Sequence, residues 1–127
     1  MRKPELVNYK EKSIFYMDFS GLRNTEEITS LLNLSKAYIR SQPEKSLLVL
    51  TNIEGMHFNN EVKTMFSDFV SGNKPYVKAS AVYGISGLQR IIYNGVMRIT
   101  GRDIRSFDTL SLGKEWLVSF QLSAVVS

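Results

Sequence analysis

Ser86, His57 and Asp108 are the residue types of a nucleophile, a base and an orienting acid. Their contexts argue against that use. Ser86 and Asp108 stand where helices need N-caps, and capping accounts for both. Ser86 is followed directly by Gly87, so the glycine-x-serine-x-glycine elbow that presents a nucleophilic serine is absent. His57 falls in a loop as a solvated side chain. Glu54 and His57 are the one nearby pair with metal-binding atoms, and two ligands from one loop do not close a site. The 127 residues include no cysteine, which excludes disulfides, thiolate metal sites and a cysteine nucleophile. No catalytic residue, metal or cofactor is assigned, and no enzymatic activity is expected.

Two binding readings remain. Gly84-Ile85-Ser86-Gly87 opens a helix and could offer amides to an anion. With Asn52, His57 and Asn59 on the same strand-end rim, Gly84, Ser86 and Gly87 form the candidate ligand site. The rim lacks a Walker lysine and a three-glycine fingerprint. The competing reading is that the glycines allow a tight strand-to-helix turn. The second site is on the helix that follows. Opposite its expected apolar stripe stand Arg90, Tyr93, Asn94, Met97 and Arg98, a mixture that interface cores enrich in. The alternative is that Tyr93 and Met97 cover the core's edge. A lipid would need a cavity of several hundred cubic ångströms, and four helices on a sheet of this size leave little interior for one.

The net charge is +4, from 16 Lys and Arg against 12 Asp and Glu. Residues 73–105 hold Lys74, Lys78, Arg90, Arg98, Arg102 and Arg105 against Asp103 alone, a net of +5. Such a segment attracts nucleic acid or an acidic protein surface. There is no dense Lys/Arg run and no glycine-aromatic RNA signature, so a solvated basic face is expected and no nucleic acid. No apolar run approaches the roughly 18 residues of a membrane span. The basic start has no apolar stretch behind it, so no secretory signal is expected. These features describe a cytoplasmic chain with an ordinary globular balance, at 43% hydrophobic and 22% charged.

The elements that must position these residues alternate. Glu5 to Tyr9 reads as an edge strand, and Ser13 to Phe19 alternates with period two, Ile14 and Tyr16 opposite Phe15, Met17 and Phe19. Asn24 opens a helix with Glu27 at capping-box spacing, and Ile28, Leu31, Leu32, Ser35 and Ile39 form its stripe. Leu47-Leu48-Val49-Leu50 is a continuous apolar run, as in a parallel strand covered on both faces. Asn59 caps a second helix carrying Val62, Met65, Phe66, Phe69 and Val70, with Gly72 as its left-handed terminator. Lys78 to Tyr83 is the next strand. Ser86 caps a third helix, with Gln89 at the box position and Leu88, Ile91, Ile92, Val96 and Ile99 buried, ending at Gly101. Ile104 to Phe107 is a short edge strand. Asp108 caps a last helix with Leu112, Trp116, Leu117 and Phe120 inward, where Gly113 marks close packing on the sheet. The order β-β-α-β-α-β-α-β-α requires crossovers between parallel strands. The whole chain, 1–127, reads as one α/β domain with a mixed, mostly parallel sheet and about four helices.

Residues 73–89, Asn-Lys-Pro-Tyr-Val-Lys-Ala-Ser-Ala-Val-Tyr-Gly-Ile-Ser-Gly-Leu-Gln, resemble the SpoIIAA-like bacterial group of STAS proteins (sulfate transporter and anti-sigma-factor antagonist). Asp18-Phe19-Ser20-Gly21-Leu22, Thr100-Gly101-Arg102 and Phe107-Asp108-Thr109 with Trp116-Leu117 fit the same pattern, over about residues 13–118. The resemblance implies a four- to five-stranded mixed sheet and a non-enzymatic regulatory module that binds a protein partner or a second copy of itself. Anti-sigma-factor antagonists carry a phosphorylated serine at the start of the helix after the central strand. Here residues 52–60 contain no serine, threonine or tyrosine, and Asn59 stands at the cap. The usual phosphoserine switch is therefore not expected.

Overall fold

The computed structural model describes residues 2–126, and the side chains of these apart from Leu88 and 121–126. The elements are β1 (Glu5–Tyr9), β2 (Lys12–Asp18), α1 (Thr25–Ile39), β3 (Leu47–Asn52), α2 (Asn60–Asn73), a 3-10 turn (Lys74–Tyr76), β4 (Val77–Tyr83), α3 (Leu88–Thr100), β5 (Arg105–Phe107) and α4 (Leu110–Val126). They form one five-stranded sheet in the order β1-β2-β3-β4-β5. β1 runs antiparallel to β2, and every other pairing is parallel.

β3 is the central strand, and all six of its residues are buried. Period-two alternation divides the core into two layers. Phe15, Met17, Val49 and Val82 face a layer with Ile28, Leu31 and Ile39 of α1 and Val62, Phe66 and Phe69 of α2. Tyr93 and Met97 of α3 pack against the same layer. Ile14, Leu48, Leu50, Ala79 and Ala81 face Leu117 and Trp116 of α4. Three helices thus cover one face and a single helix covers the other. α4 comes close because Gly113 has no side chain, and a Cβ there would lie 3.1 Å from Leu50 Cδ1.

Several local expectations shift by a residue. Asn24 caps α1, but its Oδ1 accepts from the amide of Glu26 rather than Glu27. Thr109, not Asp108, caps α4, accepting the Leu112 amide at 3.1 Å. Leu112 is exposed, so α4 turns Gly113 and Leu117 to the sheet instead. Gly72 lies inside α2 rather than beyond it. Its missing side chain leaves room for the Arg40 guanidinium, which donates from Nε to Asn73 Oδ1. α4 also continues past Phe120 to Val126.

The α3 stripe differs most. Ile91 is 69% and Ile99 68% exposed, whereas Tyr93 and Met97 pack on the core. Polar bonds set this rotation. The Tyr93 hydroxyl donates to the Ile104 carbonyl, Met97 Sδ accepts from the Ile104 amide, and Gln89 Nε2 donates to the Ile53 and Met56 carbonyls. Leu88's side chain lies outside the described residues.

The β1–β2 hairpin turns through Lys10 and Glu11, both at positive φ (49° and 67°). That geometry suits the strand twist but favours Asn-Gly. Lys10 Nζ compensates by pairing with Glu115 of α4 at 2.7 Å, and the Tyr9 hydroxyl donates to the same carboxylate. These bonds hold the Glu115 carboxyl below its ordinary range, Lys10 contributing most. A carboxyl depressed in the folded state stabilises above its unfolded pKa, and the effect is lost as pH falls through the folded value. The melting temperature of wild type should therefore exceed that of Glu115→Gln at pH 7, with the gap closing below about pH 4. A gap unchanged at pH 3 would assign the effect to packing.

Ser35 is fully buried on the core face of α1, and its Oγ has no hydrogen-bond partner. A buried unsatisfied hydroxyl costs about 1–3 kcal/mol, and alanine is also the better helix former. Ser35→Ala should raise unfolding stability by about 1 kcal/mol in a urea titration.

Candidate functional site

The carboxyl ends of the parallel strands meet in a knot of loops. The Phe19 amide donates to the Asn52 carbonyl, Gly21 to Glu54, and Ile53 to Tyr83, each at 2.8–2.9 Å. Asn52 is buried; its Oδ1 accepts from the Glu54 amide and its Nδ2 donates to the Tyr16 hydroxyl. Asn59 Oδ1 accepts from the Val62 amide and caps α2 as spaced. Gly84 has φ +97°, and a Cβ there would fall 2.4 Å from the Glu54 backbone nitrogen. Gly87 (φ +53°) is the N-cap of α3 and makes no side-chain capping bond. Ser86 is exposed and does not cap; only the reciprocal half of the box forms, the Ser86 amide donating to Gln89 Oε1 at 3.3 Å.

Within the candidate anion set Asn52, His57, Asn59, Gly84, Ser86 and Gly87, the structure ties both asparagines to other groups of the protein. The two asparagine side chains are spent on the fold. A carboxylate stands at the rim, since Glu54 accepts the Tyr83 hydroxyl at 2.7 Å, a bond that raises the tyrosine's pKa. Two negative charges there would repel. His57 is exposed, and its backbone amide donates to the Leu22 carbonyl. No hydrogen bond joins Ser86, His57 and Asp108 among the described residues. Nor do those residues contain a group of three metal-ligating side chains. Gly84 serves the close approach of two loops. Gly84→Ala should lower unfolding stability by roughly 3 kcal/mol or more, because backbone rather than a flexible side chain blocks the new methyl. Chemical denaturation measures it, and a loss under 1 kcal/mol would contradict the packing described.

The other candidate set divides. Arg90, Asn94 and Arg98 are exposed on α3, whereas Tyr93 and Met97 turn inward, so the five do not share one open face. Burial raises the Tyr93 pKa, opposed by the nearby Arg90. Arg90 lies 5.8 Å from the Tyr93 ring and donates to Ser106 Oγ. The outward face instead carries Ile91, Gly95 and Ile99 at four-residue spacing, flanked by Arg90 and Arg98. No heavy atom outside α3's own backbone lies within 4 Å of where a Gly95 Cβ would sit. α3 contains no acidic residue, and its two arginines pair with no carboxylate among the described residues.

Beneath α3 lies a partly open cavity of about 80 Å³. Its walls include Met17 and Val82 of the sheet, Phe66 and Phe69 of α2, and Val96 and Met97 of α3. Thr51, Ser80 and Arg102 also line it. No periodicity in the sequence marks this cavity; Gly95 in mid-helix, a residue that a purely structural helix avoids, points instead to the outer face.

No protein family, curated protein or solved structure matches the chain. No described helix is long and apolar enough to cross a membrane.

Proposed function

We propose that this is a STAS-like, non-enzymatic interaction domain that binds an acidic amphipathic segment of another protein across the outer face of α3. The observation that carries this reading is the pair Ile91 and Ile99, about two-thirds exposed on either side of Gly95. Isoleucine is normally buried, and a row of two on one helix face leaves apolar area uncovered. Gly95 lets a crossing helix approach closely. Arg90 and Arg98 beside the row are unpaired by carboxylates among the described residues, which selects for acidic side chains around the partner's apolar ones. Residues 52–60 hold no hydroxyl side chain, so a phosphoserine at that loop does not regulate the contact.

The test is a titration of a crosslink-identified, purified partner onto wild type and the Ile91→Glu/Ile99→Glu double variant. Each isoleucine buried at an interface is worth about 1.5–3 kcal/mol. The double variant should bind at least 100-fold more weakly with an unchanged melting temperature, and wild-type affinity should fall as salt rises. Equal binding by the two proteins, or a dimer of wild type that the double variant abolishes in the absence of any partner, would overturn the acidic-segment reading.

A further inference from the structure

The cavity under α3 combines two features that a packed core avoids together. Its lining is mostly aliphatic and aromatic, with Met17, Phe66, Phe69, Val82 and Val96 among the walls. Arg102 is also among its lining residues. Arg102 is half-buried and donates from Nη1 to the Val70 carbonyl at 2.7 Å, and no other acceptor is bonded to its side chain among the described residues. No carboxylate pairs with it there. Asp103 beside it is exposed and acts only through space, while burial pulls the guanidinium below its ordinary range. A cation partly withdrawn from water without a counter-charge favours an anion beside it.

We propose that the cavity binds a short aliphatic carboxylate, its tail among Met17, Val96 and Met97 and its carboxylate on Arg102. The volume sets the tail. About 80 Å³ is roughly half of a dry cavity of ~150 Å³ that accepts benzene, and it holds about three methylene-sized groups. Butyrate fits, with three carbons beyond its carboxylate; a long-chain lipid does not. The charge sets the head group, because a guanidinium receives a carboxylate through two parallel N–H donors. The site owes nothing to the outer face of α3.

The five methionines provide the test, since Met17 and Met97 line the cavity while Met56 and Met65 do not. In protein carrying carbon-13 methionine methyls, butyrate should shift Met17 and Met97 saturably below about 10 mM and leave Met56 and Met65 in place. Butan-1-ol should bind at least tenfold more weakly to wild type. Arg102→Gln should lose that preference for the acid over the alcohol. Ile92→Phe, which adds bulk to the cavity's α3 wall, should abolish the shifts by both. The proposal fails if butyrate leaves Met17 and Met97 unmoved, if the alcohol binds wild type as tightly as the acid, if Arg102→Gln keeps the preference, or if Ile92→Phe still responds.

Discussion

The burial of β3 on both faces governs the rest of the molecule. Leu47, Leu48, Val49 and Leu50 are almost wholly withdrawn from water on folding, each worth about 1.5–3 kcal/mol. A strand apolar on both sides cannot lie at an edge or face solvent, so both faces of the sheet must be roofed. The chain order then distributes the roof. α1, α2 and α3 each fall between strands that lie side by side in sequence order, and their core residues meet the same sheet face. The opposite face is left to α4, the one helix beyond the last strand. Ala79, Ala81 and Gly113 on that side let the single helix sit close enough to cover it.

The crowded face has a different problem. α3 packs chiefly against α2, over the part of the sheet where β4 offers Ser80 and Val82. Those side chains are too short to fill the space beneath a helix held at that height. The height is fixed by polar anchors, Gln89 on the β3–α2 loop and Tyr93 and Met97 on Ile104. Hydrogen bonds with buried partners are costly to break, so α3 cannot settle inward to close the gap. The cavity and the exposed isoleucines have one origin: a helix whose rotation obeys its polar contacts rather than its most apolar side.

That origin also explains what could be read from the amino-acid order and what could not. The stripe Ile28, Leu31, Leu32, Ser35 and Ile39 is the buried set of α1, and Asn59 caps α2 where its spacing placed it. In those helices the apolar face is the buried face, and periodicity suffices. In α3 the apolar stripe includes Ile91 and Ile99, yet Tyr93 and Met97 take the interior in their place. Periodicity carries no information about which carbonyl a tyrosine hydroxyl will reach, because Ile104 lies 11 residues away across a turn. The rim follows the same logic. Gly84 and Gly87 both occupy positive φ, and the space at Gly84 is filled by the Glu54 loop. A glycine-bearing turn shows that something approaches closely and leaves its identity open.

α3 therefore carries both proposed sites on one element. Its inner side walls a cavity lined also by Arg102; its outer side is an apolar row beside Arg90 and Arg98, neither of which pairs with a carboxylate among the described residues. A helix is stiff along its length, so a ligand that pushes Val96 and Met97 outward displaces Ile91 and Ile99 with them. Coupling between two sites requires that a ligand at one prefer a particular position of the element they share. α3 is bounded by Gly87 and Gly101, both at positive φ. The anchors at Gln89 and Tyr93 define the one position in which both sites are held.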